Sequence, residues 1–181
     1  MSGRKRPRLF SFGREIELAN LDTWVEDADQ RALLEAVVDA FIEITRTRKL
    51  ADDTLAPIVT AASHSIENVR AIGIIRLVVM SHYFPDARTA FTELALHEDQ
   101  GVRLYACASL GGAPEQLLPE MLHTFLSDTS WEVRKSAGQV CTTMQDDELL
   151  ALVNHQLTVE RDARVRVVLE LAKRFQQGVR P

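Results

Sequence analysis

The sequence predicts an all-α protein: a right-handed α-α superhelix, a solenoid of about four helix pairs behind an N-terminal capping helix. Three observations predict it. The dipeptide Val-Arg recurs at Val69-Arg70, Val102-Arg103, Val133-Arg134 and Val165-Arg166, in steps of 33, 31 and 32 residues. Apolar residues hold fixed places around each copy, spaced by threes and fours, which defines one face of a helix. A short polar turn separates the two apolar stretches of a unit, as in His97-Glu98-Asp99-Gln100, Ser127-Asp128-Thr129-Ser130 and Glu160-Arg161-Asp162-Ala163. A period near 32 residues holding two helical segments cannot close around one core, so each unit covers its neighbour's apolar face.

Along the chain, residues 1–9 come first, a basic tail with Arg4, Lys5, Arg6 and Arg8 that is expected to be mobile unless something holds it. Residues 10–50 form the N-terminal capping segment. It opens with Phe10 and Phe12 and a weakly helical stretch to Val25 carrying Leu18, Leu21 and Trp24. A strongly amphipathic helix then runs from about 29 to 47, with Leu33, Leu34, Val37, Val38, Phe41 and Ile42 on one side and Asp29 as its expected N-cap. Phe10, Phe12 and Trp24 are expected to seal the exposed end of the stack.

Residues 51–177 hold the repeats, with helix pairs expected near 52–81, 86–112, 114–143 and 146–177, and residues 178–181 are the C-terminal end. Counting from each Arg, position +3 reads Gly73, Ala106, Ala137, Leu169, and position +7 reads Leu77, Leu110, Cys141, Lys173. Upstream, position −9 reads Ala61, Leu94, Phe125, Leu157, position −13 reads Pro57, Ala90, Met121, Val153, and position −16 reads Thr54, Ala87, Leu118, Leu150. Pro85 and Pro114 suit first helical turns, where the missing N–H costs little, while Pro57 and Pro119 fall further in and are expected to kink or delay their helices.

Asp99-x-x-Val102-Arg103-x-x-Ala106 and Asp162-x-x-Val165-Arg166 resemble the second-helix signature of HEAT repeats in their short bacterial form. The resemblance covers roughly residues 52 to 177 and departs at Ile66, Ser130 and Lys173, which stand where an acid, an acid and a core residue are expected. It implies a stacked fold and a surface that binds something, without saying what. It also implies that Arg70, Arg103, Arg134 and Arg166 form a structural ladder, paired with acids in the preceding turns: Glu67, Asp99, Asp128, Glu132 and Asp162 are at hand. The other reading of that column is a phosphate-facing groove.

Composition narrows the function classes. With 46% hydrophobic and 26% charged residues the chain buries a core and is no disordered polyelectrolyte. Two cysteines, Cys107 and Cys141, both in second helices, fit a reducing, cytoplasmic setting. The longest apolar run, Ile72 to Met80, contains Arg76 and is too short for a bilayer, and no signal-peptide core follows the basic residues, so no membrane is expected. The histidines form rows: His64 and His97 stand six before their Arg, and His123 and His155 stand eleven before theirs. No His-x-x-x-His, Cys-x-x-Cys or phosphate-loop spacing occurs, so neither catalysis nor a cofactor or metal is expected.

The expected function is therefore a non-enzymatic protein-binding module, a small adaptor, regulator or inhibitor, that grips its partner with its second helices. After each Arg stand Ala71-Ile72, Leu104-Tyr105, Lys135-Ser136 and Val167-Val168, and either one of these two columns faces outward or both pack between second helices. Leu104, Tyr105, Trp131 and Lys135 combine aromatic, aliphatic and basic groups of the kind that anchor partners, and are the expected contact residues. The alternative is nucleic-acid binding by the basic tail and the Arg column. The formal charge of −5 weighs against it, because without the four basic tail residues the body holds 17 basic against 26 acidic side chains.

Overall fold

A computed structural model of the chain describes residues 7–21, 25, 27–143 and 146–178. It is all-helical, with no strand among the described residues. The capping segment holds α1 (Arg14–Leu21) and α2 (Ala28–Thr47), and four helix pairs follow: α3 (Asp52–Ala62) with α4 (Glu67–Ser81), α5 (Pro85–Glu93) with α6 (Gln100–Ser109), α7 (Leu118–Leu126) with α8 (Trp131–Val140), and α9 (Asp147–Val159) with α10 (Ala163–Gln176). Short 3₁₀ turns extend α5 and α6 and lead into α7. Each helix packs on its neighbour, and the second helices α4, α6, α8 and α10 touch in succession.

The helices begin where side chains satisfy the orphan N–H groups of a first turn. Asp99 accepts from the N–H groups of Gly101 and Val102 at α6, Ser130 from Glu132 at α8, and Asp162 from Arg164 at α10. At α2 the cap is Asp27, which accepts from Gln30, and not Asp29; Asp27 has the extended backbone a cap requires, whereas Asp29 already lies in the first turn. Pro85 opens α5, Pro57 sits inside α3, and Pro119 stands in the first turn of α7, whose start is delayed by a 3₁₀ turn at Glu115–Leu117.

In the second and third pairs every repeat column is buried: Ala106 and Ala137, Leu110 and Cys141, Leu94 and Phe125, Ala90 and Met121, Ala87 and Leu118. In the flanking pairs Ala61, Leu77, Val153 and Leu169 keep their columns, and two positions slip by a residue. Ile58 and Leu149 are buried where Pro57 and Leu150 are only half so. Position +3 needs a small residue most at Gly73, where a Cβ would lie 2.2 Å from the backbone nitrogen of Ala62, so α4 presses directly on the end of α3.

The N-terminal end is sealed differently from expectation. Phe10 and Phe12 are 58% and 66% exposed and stack edge to face on each other, while Leu9, Leu21 and Val25 are buried; Trp24 lies outside the described residues. Leu9, between the exposed Arg8 and Phe10, turns inward, and Arg48 Nη1 holds it by donating to the Leu9 carbonyl at 2.8 Å. The tail's last residues are accordingly held, for the Tyr83 hydroxyl also donates to the Pro7 carbonyl. Arg8 is exposed, and Arg4, Lys5 and Arg6 lie outside the described residues.

Candidate interaction surface

The arginine column follows one rule of geometry. In each unit the Arg Nη1 turns back to carbonyls of its own turn: Arg70 to His64 and Ser65, Arg103 to His97 and Glu98, Arg134 to Asp128 and Thr129, Arg166 to Glu160 and Leu157, all between 2.8 and 3.1 Å. The other edge of the guanidinium reaches forward. Arg103 Nε and Nη2 grip Asp128 at 2.7 and 3.0 Å, and Arg134 grips Glu160 at 2.8 and 3.2 Å. The carboxylate thus comes from the following turn, six residues before the next Arg, and not from the preceding one. Asp99 and Asp162 serve as caps instead, and Glu132 accepts from the Ser130 hydroxyl.

Position −6 reads His64, His97, Asp128, Glu160, and each of these side chains accepts the backbone N–H two residues on. Glu160 was missed from sequence, although the histidines in the same column had marked it. Its side chain is 3% exposed; burial opposes ionisation, yet Arg134, the Asp162 N–H and the Gln156 amide outweigh it and hold the carboxyl at about 2. Burial likewise opposes charge on Asp128, where Arg103 and the Ser130 N–H prevail and lower its pKa. Arg70 is the exception. The equivalent column position in the next unit is His97, not a carboxylate; Arg70 Nε is buried with no hydrogen-bond partner, and its guanidinium rests against the Tyr105 ring at 5.6 Å, in space left by the missing Cβ of Gly101.

The four expected contact residues are less open than anticipated. Leu104, Tyr105 and Trp131 are half-buried and packed on the core, and Lys135 is half-buried beside the Trp131 ring. Trp131 is covered by Arg164, whose guanidinium lies 3.4 Å from the ring centre and is held by Asp162 at 2.7 Å. Both columns after the Arg therefore pack largely between second helices, and only Val167 among their apolar members is exposed. Exposed apolar groups stand instead at position +5, at Ile75 and Leu171.

One concavity on the second-helix side lies between α1, α4 and α6. It is a cavity of about 360 Å³ lined by Glu17 and Leu21 of α1, Asn68, Ala71, Ile72 and Arg76 of α4, and Tyr105 of α6. Arg76 Nη2 meets Glu17 Oε2 at 2.7 Å there, with both side chains mostly buried and the guanidinium over the Phe41 ring. The remaining reactive groups do not converge. Cys107 and Cys141 are buried thiols whose pKa burial pushes up to about 12, and His123 and His155 are exposed on first helices. Among the described residues no three His, Cys, Asp or Glu side chains are placed to share a metal ion, and no helix is long and apolar enough to cross a membrane. Compared with the models of known protein families and with curated proteins, the chain matches none.

Proposed function

We propose that the chain is a HEAT-type, right-handed solenoid acting as a non-enzymatic protein-binding module, which holds a helical segment of its partner along the second helices. One observation carries this reading: the chain's own α1 already lies on that side. It buries Leu21, sets Glu17 on Arg76, and leaves beside it an apolar concavity in which Tyr105 is the aromatic wall. An amphipathic helix with a carboxylate is thus the kind of ligand the surface takes. The Arg column counts against the nucleic-acid alternative, since Arg103 and Arg134 spend donors on carbonyls and carboxylates within the fold, and Arg70 gives its Nη1 to two carbonyls and is itself buried.

A photo-crosslinking residue placed at 105, followed by capture and identification of what it labels, supplies the partner for the decisive measurement. Tyr105→Ala then weakens binding of that protein by about 2 kcal/mol or more, roughly thirtyfold, with the helical fold intact. Destabilisation with affinity retained refutes the assignment of Tyr105. A steep loss of affinity with rising salt, and labelling of nucleic acid in place of protein, would favour the alternative.

A further inference from the structure

The outer face of α10 differs from the same face of the second helices before it. Position +4 is Ile74, Cys107 and Gly138 in the earlier units, all buried, because the next second helix lies over it: Cys107 Sγ reaches the Val133 carbonyl at 3.9 Å, and the open side of Gly138 faces Val168. In α10 no described residue covers that face. It holds a groove of about 450 Å³ lined by Arg166, Val167, Glu170, Leu171 and Arg174. Val167 is 70% and Leu171 46% exposed. The rungs at Arg103 and Arg134 show what the forward edge of such an arginine accepts, a carboxylate, and among the described residues Arg166 meets none on that edge.

We infer that this face is a self-association surface on which two copies of the chain pair through antiparallel α10 helices. The occupant is a second copy because the face complements itself. One carboxylate, Glu170, stands between two guanidiniums, Arg166 and Arg174, each one helical turn away, and the two exposed apolar residues are also one turn apart. A two-fold axis passing the helix near residue 169 sets Val167 of each copy against Leu171 of the other. The same axis brings each Glu170 within about 3 Å, along the helix direction, of the level of Arg166 of the other copy. The rung that ends at Arg166 is thereby completed in the way Asp128 and Glu160 complete the two before it. A single helix pair buries less than a standard interface, so the dimer is weak, with half-dissociation in the range of about 10–100 µM.

Sedimentation velocity of the full chain from about 5 to 500 µM tests this, with circular dichroism of each variant recorded first. The expected result is a reversible monomer–dimer equilibrium that Leu171→Asp and Val167→Asp each abolish. Glu170→Arg weakens it at least tenfold, and mixing Glu170→Arg with Arg166→Glu restores it as a heterodimer, since each Arg then meets a Glu. A monomer at every concentration overturns the inference, and so does a dimer that survives Leu171→Asp. Failure of the mixture to pair overturns it too when both variants are folded. If Arg166→Glu loses its helical signal, the two aspartate variants decide alone.

Discussion

Glu160 joins three things with one carboxylate: the Arg134 guanidinium of the unit before, the N–H of Asp162 at the start of α10, and the Gln156 amide of its own helix. Held near 2 in the fold and at the ordinary glutamate value when unfolded, it binds its proton more weakly in the native state. Stability from this group is therefore present above about pH 4.5 and is lost as pH falls toward 2. Its contribution is at most about 3 kcal/mol, so Glu160→Gln should lower the melting temperature at pH 7 and flatten its fall between pH 4.5 and 2. Thermal melts of both proteins across that range check it; parallel curves would remove Glu160 from the acid response. The sequence makes the arginines conspicuous because the dipeptide repeats, but their partners occupy a column whose chemistry changes from His to Asp to Glu. An alternating identity hides a constant geometric role.

At the scale of the helix, α3 and α4 meet backbone to backbone. Gly73 leaves no room for a methyl group, and the obstacle is the main chain of Ala61 and Ala62, which cannot rotate aside. Gly73→Ala therefore separates the two helices and costs at least about 2 kcal/mol, although alanine is the better helix former. A melting temperature lowered by roughly 5 °C or more is expected, and an unchanged or raised one would show that the pair has slack. Helix positions were legible in the sequence for a related reason. Columns at +3, +7 and −9 report burial on both sides of a unit, and in the two central pairs that burial is complete. At Ile58 in α3 and Leu149 in α9 the buried position slides by a residue from its column. Which apolar residues stay exposed was not legible, because Leu104 and Val167 share a column and differ only in whether another helix follows.

For the molecule as a whole, the basic N-terminus divides at a single residue. Leu9 is 3% exposed and its carbonyl is gripped by Arg48, whereas Arg8 beside it is exposed. Removing residues 1–6 should leave the melting temperature within about a degree, in line with surface changes of roughly 0.5 kcal/mol. Removing residues 1–9 uncovers the ends of α1 and α2 and should cost about 1.5–3 kcal/mol, the worth of one buried leucine. A calorimetric comparison of the two truncations checks this, and equal effects would mean that Leu9 adds nothing. Phe10 and Phe12, which looked like a seal, are turned out while Leu9 between Arg8 and Phe10 is turned in, so residue type alone misplaced them.

The rung at Arg70, which has no carboxylate among the described residues, has a consequence for how the chain comes apart. Rows of stacked units unfold as one block only while each junction is stronger than the units it joins. The α6–α8 and α8–α10 junctions each carry a buried ion pair, and among the described residues the α4–α6 junction has none at Arg70. It is therefore a seam, across which residues up to about Ser81 can exchange their amide hydrogens while the units beyond stay closed, or the reverse. Native-state hydrogen exchange should resolve two blocks of different opening free energy meeting near residues 82–99. His97 has nearly the same backbone conformation as Glu160, with φ −62° and ψ 144° against −67° and 131°, so His97→Glu can offer Arg70 the missing carboxylate. The two blocks should then merge into one, and their persistence in that variant would place the seam elsewhere.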